Sequence, residues 1–137
     1  MREGTIPRDL RIVAPNRPGS GITLFKALAA AGINIDGVCA DLRPGERWVY
    51  VHILVENGAT ARAAIEAAGF EVSSDREVIT IELEDRPGAL EEVVQEQTAL
   101  GKNIEVIYMA TRTRLVIGTE DMHEDRVGVR MEDAKFP

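Results

Sequence analysis

Apolar residues recur at every second position in two stretches of the chain, which is the period of a β-strand with one buried face. Leu10, Ile12 and Ala14 form the first run, and a similar run follows within residues 79–83. Each run is followed by an Arg-Pro-Gly turn and then by apolar residues at helical spacing. The pattern therefore predicts the same strand-to-helix unit twice.

The two copies align without a gap at an offset of 69 positions, which is the difference between Asp85 and Asn16. Residues on both sides of the predicted helix coincide at this offset. Identical pairs include Arg17 and Arg86, Pro18 and Pro87, Gly19 and Gly88, Gly32 and Gly101, Asn34 and Asn103, and Ile35 and Ile104. A match of this length indicates an internal duplication.

The first copy predicts the order strand, helix, strand, strand, helix, strand. The predicted elements are strand 9–14, helix 19–31, strands 33–42 and 48–55, helix 59–68 and strand 70–77. Proline is suited to the first turn of a helix, and a glycine stands where a left-handed cap would end each helix. The order is that of the ferredoxin-like split βαβ unit.

The second copy predicts the same beginning but a shorter end. Its predicted elements are strand 78–84, helix 88–100, strands 103–110 and 114–119, and a weak second helix at 123–133. The predicted fold class is therefore α+β, with two ferredoxin-like βαββαβ units in tandem and antiparallel sheets, the second lacking its last strand. We predict that the first unit spans residues 8–77 and that the second, truncated unit spans residues 78–137.

A missing edge strand leaves unpaired backbone groups that invite pairing with another copy or another chain. A unit of roughly 60 residues also buries only about 60% of its unfolded surface, which makes it marginal alone. We therefore expect the two units to pack against each other and the protein to form a homodimer.

The composition excludes several classes of partner. The chain has 137 residues, a formal net charge of −7 and a pI near 4.9, so its surface repels phosphate backbones and anionic membranes. No apolar run reaches the length of a membrane span, and residues 1–7 lack the apolar core of a signal peptide. Cys39 permits no internal disulfide and suits a reducing compartment. We expect a cytoplasmic protein that binds neither nucleic acid nor membrane, with Cys39 buried as a small apolar residue.

Catalytic and metal-binding patterns are weak in this sequence. His52 and His123 lack the spacing to a cysteine or a second histidine that a metal site requires. No arrangement of Ser, His and Asp or of Cys and His is suggested by spacing, and two histidines are few for acid–base chemistry. We therefore predict no catalytic residues, no metal and no cofactor.

The two loops and the helix ends that follow them resemble a known family. Asp-Arg-Pro-Gly-Ala-Leu at 85–90, followed by Gly-Lys-Asn-Ile at 101–104, resembles the ACT domain of amino-acid-responsive regulatory proteins. Asn-Arg-Pro-Gly at 16–19 with Gly-Ile-Asn-Ile at 32–35 resembles a second, more divergent copy. The resemblance covers about residues 8–133, and the protein is similar to free-standing tandem ACT proteins.

The resemblance implies that sheets pair side by side and that small ligands, usually amino acids, bind at the interface between two units. The loop after the first strand would form one wall, and the second strand of the neighbouring unit would form the other. The implied ligand-binding residues are Asp85, Arg86, Pro87, Gly88, Ala89, Leu90, Asn103 and Ile104 in the second copy, and Asn16, Arg17, Pro18, Gly19, Ser20, Asn34 and Ile35 in the first. Gly21 departs from the pattern, because it stands where Leu90 supplies the usual apolar anchor, so the first site is either roomier or unoccupied.

The chemistry of these loops suits a free amino acid, but it also has a simpler explanation. The first N–H groups of the helix after Gly88 can bind a carboxylate, and Asp85 or strand carbonyls can accept from an ammonium group. Asn103 has both donors and acceptors for the second side. However, Asp before Pro-Gly is also ordinary turn chemistry, and an asparagine tolerates the bend after a glycine. Both interpretations stay open at this point.

Two functions follow from these observations. The first is a regulatory or sensor protein that binds an amino acid between ACT units and passes the change to a partner enzyme or regulator. The alternative is a ligand-free ACT scaffold that acts as a regulatory subunit through protein–protein contacts, which the truncated second copy and Gly21 favour. An enzyme is the class that the sequence supports least.

Overall fold

The computed structural model describes residues 6–41 and 44–126, and these residues form eight strands and three helices. The first half contains β1 (Arg8–Pro15), α1 (Ser20–Ala30), β2 (Gly37–Asp41), β3 (Trp48–Val55), α2 (Gly58–Ala67) and β4 (Glu71–Glu77). The second half contains β5 (Ile79–Glu82), α3 (Ala89–Ala99), β6 (Ile104–Met109), β7 (Arg114–Thr119) and β8 (Glu124–Arg126). None of the described helices is both long enough and apolar enough to cross a bilayer.

The first half forms an antiparallel sheet in the order β2-β3-β1-β4, with α1 and α2 on one of its faces. The alternating residues Leu10 and Ile12 of β1 point toward the helices, and Leu24 and Leu28 of α1 cover them. Ile65 of α2 belongs to the same core and is fully buried. This order confirms the ferredoxin-like unit that the sequence predicts.

The second half forms a smaller antiparallel sheet in the order β5-β7-β6, which repeats the β1-β3-β2 part of the first sheet. Val93 of α3 packs against Leu115 and Ile117 of β7. Among the described residues this sheet has three strands and one helix. The α+β class with antiparallel sheets is thus confirmed.

The prediction of a second helix at 123–133 is wrong where the structure describes it, because Glu124–Arg126 is the strand β8. This strand pairs with β4 of the first unit, so the free edge of that sheet is covered by residues of the second half. The Ser74 hydroxyl donates to Glu124 Oε2 at 2.6 Å and fixes the pairing. Residues 127–133 of the predicted helix lie outside the described part of the chain.

The two sheets stack face to face, with the helices on the two outer sides. Leu54 and Val78 contact Tyr108 and Val116 between the sheets. The approach is close, since a Cβ atom added to Gly37 would lie 2.9 Å from the Cβ of Ala110. The two halves therefore pack through their sheet faces, and β8 adds a side-by-side strand contact at the edge of β4.

A fully buried carboxylate lies in the contact between the sheets. Asp9 of β1 has no exposed surface, and its Oδ1 accepts a hydrogen bond from the Tyr108 hydroxyl at 2.8 Å. His52 Nδ1 lies 2.9 Å from the other oxygen of Asp9. Burial, reinforced by the neighbouring Asp9, raises the pKa of Tyr108, so its hydroxyl stays protonated and can donate.

A buried arginine forms a second polar link between the units. Arg76 of β4 is 4% exposed, and its Nη2 donates to Glu105 Oε1 at 3.1 Å and to the Thr119 carbonyl oxygen at 2.9 Å. Gly118 leaves space for this side chain, because a Cβ there would lie 3.0 Å from Arg76 Nε. Both polar links therefore join residues that are distant in sequence.

Cys39 differs from its expected place in the core. It lies on β2, the outer strand of the first sheet, and it is exposed. Alternation predicted a strand around this residue correctly, but it could not show that the strand would be at the edge of its sheet.

Replacing Tyr108 by Phe tests the contact between the sheets. The change leaves the ring in place but removes one donor from a buried carboxylate, and we expect a loss of about 1–3 kcal/mol in the free energy of unfolding, measured by urea denaturation. Tyr50→Phe is the matched control, because the Tyr50 ring lies beneath Arg11 and outside the Asp9 contacts. An equal loss in both variants would contradict this role of the Tyr108 hydroxyl.

Candidate functional site

Each predicted ligand loop turns into its helix at a glycine in the left-handed region. Gly19 has φ 93° and Gly88 has φ 89°, and each is the residue immediately before the first residue of its helix. The two prolines therefore precede the helices, although the sequence had suggested that they would lie in the first helical turns. Glycine is required at these positions because other L-residues rarely adopt a positive φ.

The first loop is held by its own backbone and by the turn between β2 and β3. The backbone N–H of Asn16 donates to the Arg47 carbonyl oxygen at 2.7 Å, and its side-chain amide donates to the Glu46 carbonyl oxygen at 2.6 Å. The first turn of α1 contains no acidic residue. The positive end of this helix is therefore open to an anion from outside.

The start of α1 also contains a polar group without a partner. The Ser20 hydroxyl oxygen is buried and makes no hydrogen bond. In the duplicated register Ser20 corresponds to Ala89, which is 6% exposed and faces the core of the second unit. Leu90, the expected apolar anchor, is 43% exposed, so Gly21 at the matching position removes no core contact.

The charged side chains of the second loop already have partners within the same chain. Arg86 donates to Glu84 Oε2 at 2.6 Å and to both carboxylate oxygens of Glu92, at 3.0 and 2.8 Å. The hydrogen bond from Arg86 lowers the pKa of Glu92. Asp85 forms an ion pair with Arg112 Nε at 2.8 Å. Glu91 and Glu92 also place negative charge in the first turn of α3, where an external carboxylate would be repelled.

The residues before the second strand of each unit lie away from the loops. The Asn34 side chain donates to Asp36 Oδ1 at 2.7 Å, and the Asn103 backbone N–H lies 3.4 Å from Glu120 Oε1. Ile35 and Ile104 pack against the cores of their units. The side chains of these two isoleucines are therefore structural within one chain.

Each predicted site has two walls, the loop after the first strand and the second strand of a neighbouring unit. Within one unit, that loop and the start of the second strand are at opposite ends of the same sheet. Pro15, next to the first loop, pairs with Trp48, whereas Gly37 at the start of β2 pairs with Leu54. These positions are six residue steps apart along β3, which is about 20 Å. Within one unit the structure therefore does not bring Asn16 and Asn34 together.

A pocket of about 750 Å³ lies beside the first loop. It is formed where the start of α1 and the end of α2 meet the ends of β1, β3 and β4. Its lining residues are Val13, Pro15, Arg17, Pro18, Gly19, Ser20, Thr23, Trp48, Glu66, Ala68, Gly69, Phe70, Glu71 and Val72. Arg17, Pro18, Gly19 and Ser20 are thus the predicted site residues that share one cavity.

The sequence did not point to the other side of this pocket. Trp48 and Glu71 are the first residues of β3 and β4, Phe70 lies between α2 and β4, and none of the three belongs to a recognised motif. The available signal was the glycine cap Gly69, which has φ 91° and ends α2 beside the start of α1. In the second unit no described helix corresponds to α2, so the matching wall is not formed by the described residues.

The described residues contain no group of three or more His, Cys, Asp or Glu side chains that could hold a metal ion. The pocket itself offers charged and apolar side chains. An anion can be bound by the start of α1 and Arg17, and a cation by a carboxylate of the pocket.

Comparison with known proteins supports the fold. The structure is similar to protein BT0572 from Bacteroides thetaiotaomicron, with a TM-score of 0.73, 24% identity, and coverage of 85% of this chain and 81% of that one. It is also similar to the ligand-free regulatory subunit of aspartate kinase from Thermus thermophilus, with a TM-score of 0.63, 22% identity, and coverage of 84% and 83%. Aspartate kinase from Clostridium acetobutylicum matches over 88% of this chain but 32% of its own, with a TM-score of 0.59 and 12% identity.

No protein-family model matches the sequence, and a search of characterised proteins finds no match. The similarity to solved structures confirms the fold of ACT-domain proteins that the two loop motifs indicated. At these identities it shows the fold alone.

The hydrogen bonds between Arg86 and Glu92 of α3 can be tested through the pKa of Glu92. The structure predicts that the pKa of Glu92 lies below its ordinary value and rises in the Arg86→Gln variant, because the charged hydrogen bond is lost. A carbon-detected NMR titration of the glutamate side chains would follow both. Glu96→Gln in the same helix is the control, and an unchanged Glu92 pKa in Arg86→Gln would mean that Arg86 is available to a ligand.

Proposed function

We propose that this protein is an amino-acid-responsive regulatory protein that binds its ligand between ACT-like units of two paired chains. The fold supports this proposal, and the Thermus thermophilus protein with the same fold is a regulatory subunit of aspartate kinase. By analogy the protein would act on a partner enzyme or regulator and would not itself catalyse a reaction.

The observation that carries the proposal is the separation of the two walls of each predicted site. When two edge strands pair in antiparallel orientation, the start of one strand lies beside the end of the other. β2 ends at Asp41, which pairs with Tyr50 at the same end of the sheet as the first loop. A neighbouring strand in this arrangement would therefore bring its preceding asparagine beside the Asn16 loop of the first chain.

The edges of the two sheets are suited to such pairing. β2 and β6 are each the last strand of their sheet, and both present apolar side chains. Val38 on β2 is 50% exposed, while Ile107 and Met109 on β6 are 42% and 39% exposed. Exposed apolar edge strands favour association with another chain, and a homodimer would cover these residues.

Of the two loops, we propose the first as the main ligand site. Its helix has no acidic residue in the first turn, and Arg17 lies next to it. The second loop already satisfies Asp85 and Arg86 with its own side chains. A carboxylate ligand would therefore meet less repulsion and less competition at the first loop.

The second loop favours a different role for the second unit. Because Asp85 and Arg86 are paired within the chain, this unit fits the alternative of a ligand-free scaffold that contacts a partner protein. The two functions can coexist in one chain, with the first unit binding the ligand and the second unit transmitting the change.

The first test is ligand binding by the whole chain. The free energy of unfolding should rise by about 2.7 kcal/mol at a ligand concentration a hundred times the dissociation constant. Melting curves with each of the twenty amino acids at millimolar concentration would reveal the ligand. If none of them raises the melting temperature, the amino-acid-responsive function is wrong and the scaffold alternative gains support.

The second test is assembly through the sheet edges. Val38→Asp and Ile107→Asp each place a charge on an edge strand, and we expect a dimer to dissociate, as measured by sedimentation or light scattering. Leu100→Asp is the matched control, because Leu100 is 65% exposed at the end of α3 and lies outside the edge strands. A dimer that survives both edge variants and dissociates with the control would contradict the proposed pairing.

A further inference from the structure

The pocket beside the first loop is separate from the proposed site between chains. All its lining residues belong to the first unit, and none of them lies on the edge strand β2. It opens among the ends of β1, β3 and β4, whereas the pairing edge is β2 at the other side of the sheet. A ligand in this pocket would need no second chain.

We propose that this pocket is a second ligand site, which binds a zwitterionic amino acid with a large apolar or aromatic side chain. Two opposite charges of the lining support this class of ligand. Arg17 and Glu71 both face the pocket, and neither has an ion-pair partner among the described residues. Glu71 is half-buried, and a cationic group of a ligand would give its carboxylate a partner.

The start of α1 is the part of the site that would bind the carboxylate of the ligand. The buried Ser20 hydroxyl has no partner and lines the same pocket, so it can donate to a carboxylate bound at the helix end. The first turn of α1 contains no acidic residue that would repel it. A carboxylate here would be held by Arg17, by the hydroxyl and by the free N–H groups of the helix.

The remaining walls are apolar and select the side chain of the ligand. Trp48 and Phe70 give the pocket two aromatic surfaces, and Val13 and Val72 extend the apolar lining. A volume of about 750 Å³ exceeds what a small amino acid fills, so large side chains bury more apolar surface there. The presence of both Glu66 and Glu71 disfavours anionic ligands that lack an ammonium group.

The loop Arg17–Ser20 is shared by this pocket and by the proposed site between chains. Occupancy of the pocket fixes Arg17 and Ser20, and it thereby changes the affinity of the loop for a ligand on its other side. The inference concerns a different cavity from the proposed function, and either one can hold without the other.

The test uses calorimetric titration of the whole chain with L-phenylalanine, L-tryptophan and L-leucine, alongside two analogues of phenylalanine. Phenethylamine lacks the carboxylate and 3-phenylpropionate lacks the ammonium group, so each removes one of the two charges. We expect each analogue to bind about 10- to 100-fold more weakly than phenylalanine, which is the usual range for a lost charged hydrogen bond.

Glu71→Gln should weaken phenylalanine binding by a similar factor and leave the affinity for 3-phenylpropionate nearly unchanged. The control is Glu96→Gln on α3, which removes the same charge far from the pocket. Arg17→Gln, an exposed position, gives the reciprocal test by weakening the carboxylate-bearing ligands and not phenethylamine. Melting curves of the unliganded variants show whether each one is folded.

The edge variant Val38→Asp, which we expect to be monomeric, separates this site from the site between chains. Binding that persists in Val38→Asp and is lost in Glu71→Gln supports the pocket. Binding that is lost in Val38→Asp and persists in Glu71→Gln supports the site between chains and overturns the pocket. If the wild-type chain binds none of the three amino acids at millimolar concentration, the pocket proposal is overturned as well.

Discussion

The fold depends on one carboxylate, because Asp9 is completely buried and both its oxygens need partners. The cost of burying an unpaired carboxylate would be several kcal/mol or more. The first unit supplies His52, but the second partner is the Tyr108 hydroxyl, from a strand 99 residues further along the chain. The first unit is therefore complete only when the second covers its sheet. Arg76 has the same dependence, since its Nη2 donates to Glu105 and to the Thr119 carbonyl oxygen. The two ACT-like units are accordingly best regarded as one cooperative structure.

The local structure could be predicted because it follows from local patterns. Alternation in β1 and β5, helical spacing in α1 and α3, and the glycines that cap the helices determine the order of the elements and both repeats. The stacking of the sheets could not be predicted in this way. Alternation shows that one face of β1 is apolar, but it does not show that Asp9 on the other face is buried as well. In β4 five consecutive residues from Val72 to Arg76 are buried, and four of the five are polar or charged. Because these residues are polar, the hydropathy of the sequence does not predict that they are buried.

The candidate site was predictable to the extent that it lies in the loops. The motif at Asn16–Ser20 drew attention to residues that do line a pocket. The opposite wall was not predictable, because Trp48, Phe70 and Glu71 meet only after the sheet has formed. The motif at Asp85–Leu90 was the more regular of the two, yet its charged residues are paired within the chain. That difference comes from Glu84, Glu92 and Arg112, whose side chains reach the loop from neighbouring positions in space. A well-preserved motif therefore need not be the more accessible one.

The strand β8 carries a consequence for the synthesis of the chain. By the time residue 77 has left the ribosome, the four strands and two helices of the first unit are all present. Their inner sheet face, with Leu54 and Asp9, and the free edge of β4 stay uncovered until about residue 126 has followed. At 5–20 residues per second, a typical rate of synthesis, this interval lasts roughly 2–10 s. During that time the nascent chain exposes an unpaired strand edge and an apolar face, the two features that promote aggregation. The short, charged sequence Glu124-Asp125-Arg126 closes the edge last, and it completes the sheet that the first half began.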